Sequence, residues 1–425
     1  MKNLTLIAAL ACTALPARPE PAKPDIVLIV IDSVRADHVS CNGYARATTP
    51  ELDALAKTGA NFTQAVASAS WTQPSVMSLF TSLPPDVHQR VRPLQPHDES
   101  AVTLAQALRD AGYQTVGLTA NPMSRRPFGF AKGFDHYDGY TVTQELGPGA
   151  ALGDLTSPTL NRLAEGALAR RDLDRPLFLF VFYMDPHWDY IPPPAFYRMF
   201  TDDPVPARRD IWTPGKRLDV SQAERERIIA AYDGEIRYTD THVGSLLKII
   251  RDGPRGGNTA IAVCADHGEA FWERGVVAHG NNLHEEEIRV PLIIRAPDAC
   301  GDPLVRGATI GAQVGLIDVA PTLLDFAGTA PPEAWQGRSL RPFLSGGTVP
   351  ERPLTLDTRV NGNVWRGVRT SRHKVIAGEP FTEPSAAYDL QTDPKEENNL
   401  LKAGDPLPDA AAALVPLLKP AGAAP

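Results

Sequence analysis

Continuous apolar runs, often β-branched, recur along the chain between segments with helical spacing. They are Ile26–Ile31 (IVLIVI), Thr115–Leu118 (TVGL), Leu177–Phe182 (LFLFVF), Ile261–Ala265 (IAVCA) and Pro291–Ile294 (PLII). Continuous rather than alternating apolarity predicts strands covered on both faces. The clearest helix lies before the fourth run. Ser221 and Glu224 form an SxxE capping box, Ile229, Tyr232, Ile236, Val243, Leu246, Leu247 and Ile250 follow at helical spacing, and Gly253-Pro254 stops the pattern. Strands alternating with helices in this way predict an α/β sandwich around a mainly parallel sheet. From about residue 346 the pattern shortens to strand-like pieces such as VWRGVRT and HKVIAG, which predict a small antiparallel C-terminal subdomain.

With 425 residues and 43% hydrophobic content, the chain can bury one large core beside a small one. The net charge of −8 arises from 42 basic and 50 acidic residues without a block of either sign, so nothing marks a nucleic-acid or anionic-membrane surface. A small molecule or a polar polymer is the expected partner. Residues 1–17, MKNLTLIAALACTALPA, read as an export signal, with a frayed apolar N-terminus on a cytoplasmic protein as the alternative. Ala9-Leu10-Ala11-Cys12 resembles a bacterial lipobox, which would lipidate Cys12 and tether an exported chain in the periplasm or envelope. No other segment approaches the roughly 20 apolar residues of a membrane span. Cys41, Cys264 and Cys300 are too few and too widely spaced for a disulfide framework or a cysteine zinc site. The expected organisation is an export signal and linker over 1–23, a catalytic domain over 24–345, a C-terminal subdomain over 346–402 and an Ala/Pro-rich tail over 403–425.

Three of the predicted strands end on an aspartate: Asp32, Asp185 and Asp266, the last two followed closely by His187 and His267. Ligands of open α/β sheets bind beyond the carboxyl ends of the strands, so these residues are expected to converge there as a metal site. Mixed carboxylate and imidazole ligands suit Mn, Zn or Fe better than an all-oxygen Ca site. For any one of the three, a helix cap or a turn is the competing role. Adjacent ligands in Asp266-His267-Gly268-Glu269 reach one ion while Gly268 lets the chain turn away. His279 and His284 in AHGNNLHEEE are further candidates, although a loop histidine is commonly solvated. Thr72, in SWTQPSVMSL, is expected to cap a helix that begins near Pro74 or Ser75 and runs through Met77, Leu79 and Phe80. The start of that helix favours anions, and a threonine hydroxyl there, held on a divalent cation, would ionise and attack a tetrahedral oxyanion. Trp188, Tyr190, Tyr197 and Trp212 either shape a substrate pocket or pack beneath a long loop.

The segments PDIVLIVIDSVRADHVSCNGY, TTPELDALAKTGANFTQAVASASWTQPS, MDPHWDYIPPP, YDGEIRYTDTHVGSLL, VCADHGE, HGNNLHEEEIRVPLIIR, QVGLIDVAPTLLDFAG and YDLQTDPKEENNL together resemble the sulfatase family of the alkaline phosphatase superfamily. The resemblance spans residues 24 to about 402 and implies an alkaline-phosphatase-like α/β core with its site at the strand ends. It places Asp32, Asp266 and His267 on metal-ligand positions and Thr72 on the position of a nucleophile that is also a ligand. It places His187 and His279 on positions that touch the oxyanion or the leaving group. It implies one divalent ion, Mn, Zn or Ca, with the histidine ligand arguing against Ca.

The departures from the family pattern define the problem. Active sulfatases carry Cys or Ser in a CxPSR-like motif, oxidised to formylglycine, whereas this chain reads TQPSV, with Val76 in place of the arginine. Ser33 stands where many members have a second Asp ligand, and LTANPMSRRPFGF, which contains Asn121, replaces a GKWHLG-like segment. Asp185, Ser33 and Asn121 therefore remain as possible second-metal or substrate residues. The DxH spacing of Asp185 and His187 differs from the DxxxH pair of the two-metal phosphodiesterases, which leaves a second ion open. The expected activity is metal-dependent hydrolysis of a sulfate- or phosphate-type ester of a small molecule, glycan or lipid, with Thr72 in place of formylglycine. The alternatives are transfer of a phosphoryl head group to an envelope acceptor, as in the superfamily's threonine-dependent branches, and an inactive sulfatase fold used as a binding protein.

Overall fold

The computed structural model describes residues 23–93, 100–146, 155–204, 220–298, 305–403 and 406–420. The segment 1–17 predicted as an export signal, with Cys12, and Trp212 and Cys300 lie outside the described residues.

The strands are β1 (Asp25–Ile31), β2 (Ala60–Val66), β3 (Gln114–Thr119), β4 (His136–Asp138), β5 (Leu177–Tyr183), β6 (Thr259–Ala265), the short pair β7 (Ala270–Phe271) and β8 (Val277–Ala278), then β9 (Arg289–Val290), β10 (Leu292–Arg295) and β11 (Ala308–Gly315). The central sheet runs β11-β2-β10-β6-β1-β5-β3-β4, with β9 added beside β2. All its pairings are parallel except those of β10 and β9. Every residue of β1, β5 and β6 is buried, as their apolar runs predict, and the polar Asp25 and Thr259 that open β1 and β6 are buried with them. The sequence pattern missed β2 and β11. ANFTQAV and ATIGAQVG carry polar residues because both strands keep partly exposed positions toward one edge of the sheet.

Alternate residues of a strand face opposite sides of a sheet, and β5 shows what covers each. Phe180 packs edge-on against Phe80 of the helix Thr72–Thr81, with ring centroids 4.8 Å apart. Tyr183, of opposite parity, donates its hydroxyl hydrogen bond to Asn161 of the helix Ser157–Arg170. The 31-residue helix Gln222–Asp252 packs beside the latter, and Ser221 Oγ accepts from Glu224 N at 3.2 Å, the start that the capping box predicts.

Strands β12 (Leu354–Val360), β13 (Asn363–Arg369), β14 (His373–Gly378) and β15 (Ala386–Asp389) form an antiparallel meander. One face buries Leu354, Leu356 and Ile376 against Val66, Leu283 and Ile288. Its other face corrects the reading of residues 403–425 as a tail. Leu414 and Leu418, four residues apart, are buried against Val368, Val375, Ala377 and Ala387, because this sheet needs a second apolar cover.

A buried ionic network also holds this sheet. Lys374 Nζ lies 3.0 Å from Glu285 Oε1 and 2.6 Å from Glu396 Oε1. Arg369 donates to both Glu285 oxygens at 2.9 and 2.8 Å. Burial opposes ionisation of Glu285, but Arg369 and Lys374 outweigh it and hold the carboxyl well below the usual range. A depressed carboxyl stabilises the fold above its unfolded-state pKa, about 4.3, and loses that contribution as pH falls through the folded value. Glu285→Gln is expected to cost about 3 kcal/mol at pH 7, since both cations stay buried. The gap between the wild-type and variant denaturant midpoints should be level from pH 6 to 8 and narrow below about pH 4; a gap independent of pH would disprove the ionic contribution.

Candidate active site

Strands β6, β1 and β5 are neighbours at the centre of the sheet, so the residues that follow them emerge side by side. Asp32, directly after β1, and Asp266, directly after β6, are fully buried. Ser33 stitches them together from a left-handed turn (φ 57°). Its hydroxyl donates to Asp32 Oδ1 at 2.7 Å and its backbone N–H to Asp266 Oδ1 at 3.2 Å. Asn121 Nδ2 donates to the other oxygen of Asp32. Ser33 and Asn121 thus orient the Asp32 carboxylate.

His267 Nδ1 is 2.9 Å from the carbonyl of Gly268, which can only accept. The ring therefore carries its proton on Nδ1 and presents the Nε2 lone pair to the carboxylates, 3.3 Å from Asp266 Oδ2 and 3.7 Å from Asp32 Oδ1. Ligand atoms of Asp32, Asp266 and His267 all lie within 4.8 Å of one another. Burial, then Asp266, pushes the Asp32 carboxyl up, and burial pushes Asp266 up to about 7. Burial pushes His267 down to about 4. Asp266 Oδ2 is buried with no hydrogen-bond donor, and among the described residues no lysine or arginine pairs with either carboxylate. Two uncompensated buried carboxylates beside an imidazole lone pair fit a divalent cation.

Thr72 does not cap its helix. It is the first residue of Thr72–Thr81, behind Trp71, whose side chain makes no capping bond. Its hydroxyl lies 3.3 Å from His267 Nε2. Ser75 ties the helix start to the end of β6 by donating to the Asp266 carbonyl at 2.5 Å. Val76, at the family's arginine position, points into the main core and is fully buried.

His279 lies beside His267 with the rings tilted and their centroids 4.3 Å apart, and His187 is 5.2 Å from His279, which makes a row of three imidazoles. His187 Nδ1 is 3.0 Å from the Trp188 carbonyl, so its Nε2 is also the free nitrogen. His279 Nδ1 is 3.1 Å from Glu269 Oε1. Burial, then His187, pushes His279 down to about 3, while burial pushes Glu269 up to about 7. Gly280 follows at φ 77°, its N–H on the Ser70 carbonyl at 2.8 Å and its carbonyl accepting from Asn363 of β13 at 3.1 Å. The His279 loop is thereby pinned between the Thr72 segment and the C-terminal sheet.

Asp185 departs from the expected convergence. Both its oxygens are occupied by Thr156 and Ser157, through backbone N–H groups at 2.9 to 3.1 Å and hydroxyls at 3.0 and 2.6 Å. It serves the start of the helix Ser157–Arg170, which is the competing role for an aspartate after a strand. His284 turns to Glu396 Oε2 at 3.0 Å and supports the C-terminal sheet. Tyr190 and Tyr197 are buried, and Tyr190 packs against Tyr232 and Phe271. No sequence pattern gives Glu269 a role of its own; what marks it is its place two residues after His267 and opposite His279 across the β7–β8 hairpin.

The Sulfatase family model matches residues 24–329, and that of N-sulphoglucosamine sulphohydrolase, C-terminal, matches 279–407. The chain is 26% identical over 450 residues to an arylsulfatase of Clostridium perfringens (strain 13 / Type A), covering 90% of this chain and 91% of that protein. It is 25% identical over 489 residues to the multifunctional alkaline phosphatase superfamily protein PehA of Trinickia caryophylli, covering 92% and 93%. The phosphonate monoester hydrolase of Agrobacterium radiobacter has a similar structure, with a TM-score of 0.74 at 23% identity over 93% of this chain and 94% of that one. BT4656 in complex with its substrate D-glucosamine-2-N,6-O-disulfate gives a TM-score of 0.76 at 21% identity, over 93% and 97%. These structural likenesses show the fold.

Proposed function

Because this chain belongs to the sulfatase family, we propose that it is an ester hydrolase that works through Thr72, with phosphorus esters preferred over sulfate esters. The observation that carries the reading is the Thr72 hydroxyl at the start of its helix, 3.3 Å from His267 Nε2 and beside the two buried carboxylates. Asp32, Asp266, His267 and Thr72 would hold one divalent ion, and their mixed oxygen and nitrogen donors favour Mn or Zn over Ca. Such an ion lowers the pKa of a hydroxyl and neutralises a developing oxyanion.

The chain's own residues account for the rest. Thr72 loses its proton to solvent and His279 Nε2 takes one up as the anionic ester binds; the ionised Thr72 Oγ then forms a bond to phosphorus as the bond to the leaving oxygen breaks, and the proton on His279 Nε2 passes to that oxygen. Water then attacks phosphorus, gives its proton to His279 Nε2, and Thr72 Oγ leaves. In the resting protein His279 is neutral, and the negative charge of a bound ester works against that depression. His187 lies on the same row, and as an imidazolium it steadies the oxyanion by donating from Nε2–H. A formylglycine hydrate can shed its ester by re-forming a carbonyl. Threonine has no second hydroxyl on that carbon, so its adduct must be displaced at the central atom, a step that phosphorus tolerates better than sulfur. The preference rests on this chemistry of Thr72; a phosphonate monoester hydrolase shares the fold, while the arylsulfatase relative is named for sulfate esters.

The test is a nitrophenyl panel of sulfate, phosphate monoester, phosphate diester and phosphonate monoester, with the full chain loaded with Mn or Zn. Turnover of a phosphorus ester ahead of the sulfate is the expected result. Sulfate as the best substrate would overturn the preference, and turnover of no ester would favour a binding protein. A labelled head group recovered on an added acceptor alcohol rather than in water would identify a transferase.

A further inference from the structure

The buried carboxylate that touches His279 has no part in the mechanism so far. Strands β7 and β8 pair antiparallel with Ala270 opposite Ala278. Glu269 immediately precedes β7 and His279 immediately follows β8, so the register sets the two directly across from each other. Their side chains meet with Glu269 Oε1 3.1 Å from His279 Nδ1. The Glu269 side chain is fully buried and that of His279 is 15% exposed.

The backbone under Glu269 is clamped from two sides. Its N–H donates to the Glu286 carbonyl at 2.9 Å, and Gly268 N–H donates to Glu287 O at 2.8 Å. Its own carbonyl accepts from Arg35 Nη1 at 3.1 Å, and that guanidinium is held by Asp37 at 2.7 Å and Glu273 at 2.6 Å. With its backbone held in this way, an ionised Glu269 can only accept from the imidazole, so wherever Glu269 is ionised Nδ1 carries hydrogen, in the neutral and the charged ring alike.

We infer that Glu269 is the positioning residue for His279: by holding Nδ1–H it leaves Nε2 as the nitrogen that exchanges a proton with the ester oxygen. This rests on the reading of His279 as the proton donor to the leaving group. Glu269 touches neither substrate nor the reacting atoms and acts through His279 alone.

Three readouts test it on the full, metal-loaded chain, with Glu269→Gln as the isosteric variant and Glu269→Ala as the truncation. The first is leaving-group dependence. Activity on the nitrophenyl ester turned over best should fall by about 10-fold or less, because nitrophenolate needs little protonation. Activity on the matching unsubstituted phenyl ester should fall by about 100-fold, with KM little changed. A uniform loss across both esters would overturn the inference. The second is the double variant. Glu269→Ala combined with His279→Ala should lose no more than His279→Ala alone, whereas multiplying losses would show an independent role for Glu269. The third needs no turnover. In histidine-labelled protein, the 15N signals of His279, assigned by their loss in His279→Ala, should show Nδ1–H in the wild type and a mixed tautomer in Glu269→Ala; unchanged signals would overturn the inference. If His279→Ala leaves phenyl ester hydrolysis intact, the proton-donor reading of His279 fails, and the tautomer measurement still decides whether Glu269 orients the ring.

Discussion

Thr72→Ala is expected to lower kcat/KM on the preferred ester by at least about 10⁴-fold, as loss of a nucleophile does in hydrolases that pass through a covalent intermediate. The protein should remain folded. The Thr72 side chain makes no capping bond, its first-turn position tolerates alanine, and its hydroxyl contacts the site rather than the core. Thr72→Ser should keep activity within about 100-fold of wild type, because the hydroxyl is retained and only the methyl that restricts its rotation is lost. Quenched turnover of the wild type should leave a phosphoryl adduct on the Thr72 peptide, absent from the alanine variant. Full activity in Thr72→Ala would instead make water the attacking group and reduce Thr72 to a residue beside the ligands.

The sequence made the middle of the central sheet legible because strands covered on both faces favour unbroken apolarity, which β1, β5 and β6 show at every position after Asp25 and Thr259, the polar residues that open β1 and β6. It made Asp32, Asp266 and His267 legible for a related reason. Residues that follow adjacent central strands emerge together, so their position in the text is already a position in space. Asp185 satisfies the same rule and still turns away, since a carboxylate close to a helix start finds four donors there. Nothing in the text distinguishes those outcomes; only the approach of Thr156 and Ser157 decides. Glu269 was illegible for a different reason. Its partner His279 is set by the pairing of two-residue strands, too short for any periodicity to announce. Leu414 and Leu418 were hidden by the alanines and prolines around them, although their spacing of four is that of one helix face.

The second large effect concerns the carboxylate pair, and it has opposite signs for stability and for activity. Burial holds the Asp266 carboxyl at about 7, well above its ordinary value near 3.8. A carboxyl raised on folding binds its proton more tightly in the native state, so without a cation it weakens the fold as pH rises from about 4 through 7. Asp266→Asn removes that burden while keeping the shape. In the presence of a chelator at pH 8, the variant should therefore be more stable to denaturant than wild type by on the order of 2–4 kcal/mol. At pH 4 the two should nearly coincide. Adding Mn or Zn should reverse the order. Wild type gains by mass action, about 4 kcal/mol at a thousand times its Kd, whereas the variant has lost one of two anionic ligands and gains little. Activity follows the loaded state alone, so chelation of wild type and Asp266→Asn should each cost at least about 10³-fold in turnover, and only the chelated wild type should recover on adding metal. A chelated wild type as stable as Asp266→Asn at pH 8 would show that the carboxylates are already compensated, and that the orphaned Asp266 oxygen is not waiting for a cation.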